Sequence, residues 1–325
     1  MIKRTASPEG VSAAAKRIRC EVVRTPLLPF EWEGRRIWAK AECLQTGGSF
    51  KLRGAVNRLM QLGEAEKARG VVAFSSGNHA QGVAIAARRL GIQATIVMPS
   101  DAPRVKRDST AAAGARIVEC DRHRESREEI AARIAAETGA VVVPSFDDVD
   151  IIEGQGTAGV EIGGQMIEAC GALPDEVLVP CGGGGLSAGI SLALPEARIV
   201  AVEPQGWDDM GRSLAAGRRV PVEEPAPPTR CDALQTKLVS PLTLEALRSS
   251  NASATSVGEE EVERAMAFAM RQLRLVVEPG GAVALAALLT GKAASSSERT
   301  VVVLSGGNVD PLLYSEIVGR QAAAG

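Results

Sequence analysis

An α/β fold built on mainly parallel sheets is what this 325-residue sequence predicts, and three observations predict it. Short apolar runs such as "ATIVMP" (94–99), "EVLVPC" (176–181) and "TVVVLSGG" (300–307) alternate with longer stretches of helical periodicity. These runs lack the apolar–polar alternation of half-exposed strands, so they read as strands buried on both faces. The loops after them carry glycines and small polar residues, where open α/β sheets bind their ligands. The length suits about two domains, or two lobes sharing a hinge.

The elements follow in order. Ser7-Pro8-Glu9 reads as a helix start, with a capping hydroxyl, a proline at the first helical position and an acid in the first turn. "WEGRRIWAKAE" reads as a hairpin turning near Gly34, with Ile37, Ala39 and Ala41 alternating against Arg36, Trp38, Lys40 and Glu42. "GVVAFSS", "ATIVMP", "RIVEC" and "VVVPS" then read as strands. Between them stand helices in "HAQGVAIAARRLG", "RVKRDSTAAAGA" and "REEIAARIAAETGA". A helix is predicted in "DVDIIEGQGTAGVEIGGQMIEAC", followed by "EVLVPC", a helix from Leu186 and the strand "RIVAVEP". Residues 205–258 read as irregular, 259–273 as helical, "GGAVALAALLTG" as a buried helix and "TVVVLSGG" as the last strand.

Composition excludes several function classes. A net charge of -2 gives no basic field for nucleic acid, and aromatics at 3% leave few stacking surfaces for bases. No apolar stretch is long enough for a bilayer, and "MIKRTASPEGVSAAAKRI" lacks the apolar run of a signal peptide. Six scattered cysteines and two histidines make neither a zinc cluster nor a disulfide framework, which points to reduced thiols and a cytoplasmic setting.

Four loops carry the chemistry: "GGSFKLRGA" (47–55), "SSGNHAQG" (75–82), "CGGGGLSAG" (181–189) and "SGGNVD" (305–310). In the third, Gly183 to Ala188 fits G-x-G-x-x-A between a strand and a helix, and Glu203 stands twenty residues after Gly183. That spacing admits a dinucleotide-binding fold and a nicotinamide-dependent oxidoreductase. Consecutive N–H groups ahead of a helix N-terminus suit a phosphate, without saying whose. Lys51 lies between Phe50 and Leu52. Apolar packing lowers a lysine pKa, and a neutral amine is what attack on an aldehyde requires.

Taken together, the four loops resemble those of fold-type II pyridoxal-phosphate (PLP) enzymes, most closely the serine/threonine dehydratase and serine racemase family. The resemblance runs from about residue 20 to 310. It implies a tryptophan synthase β-like fold with two lobes, each with a mainly parallel sheet flanked by helices. Residues 1–63 with 149–325 would form the large PLP-binding lobe, and 64–148 a smaller mobile lobe carrying the substrate loop. Lys51 would be the Schiff-base lysine and then the base at Cα, with Phe50 beside the cofactor. Asn78 would bond the phenolic oxygen, Gly182, Gly183, Gly184 and Gly185 the phosphate, and Ser305 the pyridine nitrogen. A neutral hydroxyl there leaves the ring a weaker electron sink, which suits rapid loss of a β-hydroxyl.

By the same resemblance, Ser75, Ser76 and His79 surround the substrate carboxylate, and Arg127 and Thr236 line the substrate region. Ser76 would also be the acid on the opposite face that racemisation needs. Glu203, the Trp207 carbonyl and Asp209 match a divalent-cation site, and such hard oxygen ligands suit magnesium or calcium. The expectation is a homodimeric threonine/serine dehydratase, turning L-threonine or L-serine into 2-oxobutyrate or pyruvate and ammonia. Serine racemase, and a dehydratase of 3-hydroxyaspartate or a bulkier 3-hydroxy amino acid, stand as alternatives. The oxidoreductase drops to a minor one.

Overall fold

The computed structural model describes every residue except 1–3, 76, 103, 122–123, 294–296 and 324–325. Ser7 caps α1 (Pro8–Ile18), its hydroxyl accepting from the Gly10 N–H at 3.1 Å. The hairpin forms where the sequence predicts it, with β1 (Leu27–Trp32) antiparallel to β2 (Arg35–Lys40). Its turn residues Glu33 and Gly34 have φ of 49° and 72°, the sign that matches a two-residue turn to strand twist. The alternation expected along β2 is overturned. Ile37, Trp38, Ala39 and Lys40 are all buried, because β2 lies inside a sheet covered on both faces. Lys40 is accommodated by the Glu161 carboxylate at 2.6 Å and the Gln165 side-chain oxygen at 2.9 Å.

The chain continues through α2 (Lys51–Met60), α3 (Glu64–Arg69), β3 (Val71–Phe74), α4 (Asn78–Arg89), β4 (Ala94–Pro99) and α5 (Arg104–Ala112). Next come β5 (Arg116–Cys120), α6 (Arg127–Thr138) and β6 (Val141–Val142). Strands β3 to β6 form one parallel sheet in the order β5-β4-β3-β6. The long helix α7 (Val149–Cys170) leads into β7 (Glu176–Pro180), α8 (Gly185–Ala193), β8 (Arg198–Pro204) and α9 (Asp209–Ala216). Then follow α10 (Pro241–Arg248), β9 (Ala252–Val257), α11 (Glu259–Phe268), α12 (Pro279–Leu289), β10 (Thr300–Val303) and α13 (Pro311–Ala323).

The second sheet has the order β1-β2-β10-β7-β8-β9 and is parallel apart from β1. The last strand is inserted between β2 and β7, so both chain ends build this sheet. The stretch 205–258 is more regular than its sequence suggests, holding α9, α10 and β9. Strand β9, "ASATSV", is an edge strand of small, mostly half-buried residues, half of them polar, and has no apolar run to betray it. Helix α12 is buried over almost its whole length, as its composition predicts.

Candidate active site

Ser49 bridges to Gly306, and the Phe50 N–H donates to the Ser305 carbonyl at 3.2 Å. This pins the lysine loop against the segment after β10. Lys51 opens α2; its Nζ lies 5.1 Å from the Phe50 ring centre and donates to the Ser145 carbonyl at 3.1 Å. Burial pulls the Lys51 pKa down to about 8, against an opposing pull from Glu278. A useful fraction of the amine is therefore neutral near pH 7, as nucleophilic and base chemistry requires.

The tetraglycine loop leaves β7 and enters α8. Gly184 has φ +85°, a conformation that costs a residue with a Cβ. A Cβ there would also meet Met210 Cε at 2.5 Å. The N–H groups of Gly182, Gly183 and Gly185 find no acceptor among the described residues, and a helix N-terminus follows them. The Thr243 hydroxyl donates to the Gly183 carbonyl at 2.8 Å, the Phe146 ring covers Gly183, and Thr236 stands beside Gly182. The result is an anion cradle with a stiff wall.

Asn78 and His79 begin α4. Asn78 Nδ2 donates to Glu278 at 2.5 Å, and Asn308 Nδ2 donates to Asn78 Oδ1 at 2.8 Å. Ser305 is buried. The amine and the anchored amide are thus joined through Glu278 and the 305–308 segment, and the amine and the anion cradle through Ser145 and Phe146.

Residues 18–306 match the family model described as pyridoxal-phosphate dependent enzyme. An L-threo-3-hydroxyaspartate ammonia-lyase from a Pseudomonas species is 39% identical, over 96% of this chain and 98% of that protein. The L-threonine ammonia-lyase of Thermotoga maritima is 40% identical, over 96% of this chain and 78% of that protein. The structure of maize serine racemase superposes with a TM-score of 0.89 at 35% identity, covering 99% of each chain. The chain belongs to the PLP-dependent enzyme family.

The residues present fit the cofactor. PLP would be held by Lys51 through its aldehyde, by the cradle at Gly182–Gly185 through its phosphate, and by Asn78 and Ser305 at the ring. Cys181, next to the cradle, is buried, and burial pushes its thiol well above its ordinary pKa, so it packs rather than reacts.

Other predicted residues are placed differently. Ser75 turns its hydroxyl inward on its own loop, accepting from the Gly77 N–H at 3.2 Å; Ser76 lies outside the described residues. His79 is buried, and its Nε2–H donates to the Val143 carbonyl at 2.8 Å. Burial and the nearby Lys51 pull its pKa down to about 3, so the ring is neutral and Nδ1, which has no partner among the described residues, is an acceptor. Arg127 sits in the first turn of α6, its side chain 41% exposed and 3.1 Å from Glu128. That is the setting of a solvated helix start, and no described contact joins Arg127 to the lysine loop.

At the expected cation site, Glu203 accepts from the N–H groups of Met210 and Gly211 at 2.9 and 2.8 Å. Asp209 is fully buried with no side chain bonded to either carboxylate oxygen among the described residues, and burial raises its pKa to about 7 against the pull of nearby backbone N–H groups. A buried carboxyl with no side-chain partner among the described residues, beside a second acid, fits a hard divalent cation. Trp207 is also buried, its indole N–H donating to the Pro227 carbonyl at 2.8 Å.

Sequence reasoning missed Glu278, Phe146 and the ion pair between Lys106 on α5 and Asp232. One signal was available. Glu278 precedes Pro279 at the start of a buried helix, where Ser, Thr, Asp or Asn is the usual cap. An acid out of place there invites another role.

Proposed function

We propose that the chain is a PLP-dependent dehydratase that converts L-threonine and L-serine to a 2-oxo acid and ammonia. The observation that carries this reading is the pairing of Lys51, an amine brought close to neutrality, with the buried, uncharged Ser305 on the segment packed against the lysine loop. Bound PLP would supply a sink for the electron pair left at Cα. Lys51 accepts the Cα proton and is held for that task by Phe50 and the Ser145 carbonyl. The glycine cradle fixes the phosphate end, Asn78 fixes the ring edge, and Ser305 gives the pyridine nitrogen no carboxylate to protonate it. Such a ring favours prompt expulsion of a β-hydroxyl over long-lived carbanion chemistry.

Two finer readings accompany it. A divalent cation held by Glu203, the Trp207 carbonyl and Asp209 would brace the start of α9, next to Met210 at the cradle. The lobe of residues 64–148 would close over the substrate, with Lys106 reaching Asp232 across the junction.

Ammonia and 2-oxo acid release, measured with L-threonine, L-serine and L-threo-3-hydroxyaspartate, tests the proposal. Turnover should be highest with threonine or serine and should fall about 10³-fold in Lys51→Ala. A clear preference for 3-hydroxyaspartate, or D-serine formed from L-serine faster than pyruvate, would replace this assignment with one of the alternatives.

A further inference from the structure

Glu278 is 2% exposed, and its Oε2 has no hydrogen-bond partner among the described residues. It sits at the N-cap of α12 yet its side chain caps nothing. Oε1 accepts from Asn78 Nδ2 at 2.5 Å, while Asn308 donates both to Asn78 Oδ1 and to the Gly47 carbonyl, each at 2.8 Å. An amide held by an acceptor at its nitrogen and a donor at its oxygen has one orientation. The backbone makes room for the carboxylate: a Cβ at Gly306 would lie 2.0 Å from Glu278 Oε1.

The charged groups around Glu278 come from several elements. They are Lys51 on α2, Lys106 on α5 and Asp232 in the turn before α10. The Cys43 and Cys231 thiols are also near, and burial pushes each up to about 12, so they stay uncharged. Burial raises the Glu278 carboxyl to about 7, with Asp232 adding to the rise and Lys106, Asn78 and Lys51 opposing it.

We propose that Glu278 is a positioning residue, which locks the Asn78 amide through one carboxylate oxygen and supplies the negative charge that offsets burial at Lys51. The two roles are separable. The first needs only an acceptor, which a glutamine also provides; the second needs charge, which a glutamine lacks. The sign at Lys51 follows: without the carboxylate, burial acts unopposed and the ammonium gives up its proton at lower pH. Above about pH 7 the carboxylate is ionised, so the effect operates in the range where Lys51 itself titrates. The inference rests on PLP binding at Lys51 and not on which hydroxy amino acid is the substrate.

The test uses the full-length chain stripped of PLP by dialysis and then titrated with PLP at a series of pH values. The near-visible band of the lysine-bound cofactor is followed in the parent, Glu278→Gln and Glu278→Ala. In both variants the pH midpoint of band formation should fall by about half a unit or more, a threefold or greater change in proton concentration. Glu278→Gln should retain PLP as the parent does, whereas Glu278→Ala, which frees Asn78, should bind it about tenfold more weakly. If Glu278→Ala does not fold, the midpoint of the near-isosteric Glu278→Gln decides alone. A Glu278→Gln midpoint equal to that of the parent overturns the electrostatic role, and undiminished PLP retention in Glu278→Ala overturns the orienting one. A parent chain that forms no band would instead overturn the placement of PLP on Lys51, and this inference with it.

Discussion

Removing Glu42 should cost the fold about 3–5 kcal/mol, because it would strand a cation with no access to water. Arg53, two residues after Lys51, is fully buried. Its Nε and Nη2 donate to the two Glu42 carboxylate oxygens, each at 2.8 Å, and its Nη1 and Nη2 donate to Glu161 at 2.7 and 2.8 Å. Glu161 is the more exposed partner and already serves the buried Lys40. In Glu42→Ala one carboxylate is left for two buried cations, and the Thr25 hydroxyl loses its 2.5 Å contact with Glu42. At fixed scan rate and PLP concentration, the apparent melting temperature should fall by about 6–15 °C, at about 2–3 °C per kcal/mol for a chain of this size. Arg53→Met in the same background should recover part of the loss, because it removes the unpaired charge. The pH response carries a sign. Burial works against the Glu42 carboxylate, but Arg53 and Lys40 hold its pKa below the ordinary value of 4.5. Its contribution is therefore full above that value and is lost as the pH falls through the lower folded-state value. A loss under 1 kcal/mol in Glu42→Ala, or no recovery in the double variant, would refute the reasoning.

Two further outcomes follow from the site. Burial raises the Asp209 carboxyl to about 7 from an ordinary 3.8, so its proton stabilises the folded chain at low pH and this benefit fades as the pH rises through 7. If, as proposed, a divalent cation is held at Asp209, it would take the place of that proton, so the melting-temperature gain from magnesium or calcium over chelator should be larger at pH 8 than at pH 5. Equal gains would remove the cation from Asp209. Lys106→Met should raise KM about fivefold with little change in kcat, about 1 kcal/mol for a part-exposed pair. Adding Asp232→Asn should then cost little more, and additive losses would show that the two residues do not act as one latch.

What the sequence disclosed, it disclosed through local chemistry. A capping Ser7, a Gly34 turn and apolar runs of four to seven residues each determine their structure within a few residues, and each element stands where those signals put it. The four ligand loops were legible because glycine and small polar residues after a strand have few other uses. Signals failed where the decisive partner is distant in the chain. Lys40 looks like the polar side of a hairpin until Glu161 and Gln165, more than 120 residues later, are packed against it. Strand β9 is defined only by the edge of β8 that it pairs with.

The same limit explains the site. His79 was legible as a residue at the right helix start, but its proton is assigned by the Val143 carbonyl, a backbone atom that no motif names. Glu278 lies 200 residues from the Asn78 that it orients. Motifs identify groups that touch a ligand, because their spacing is fixed by one loop wrapped around one molecule. Groups that tune those contacts through charge or orientation arrive from whichever element the topology brings near. Here the insertion of β10 between β2 and β7 brings the lysine loop against Ser305 to Asn308, and the start of α12 places Glu278 beneath them. The reactivity of Lys51 is thus set as much by strand order as by its apolar neighbours in sequence.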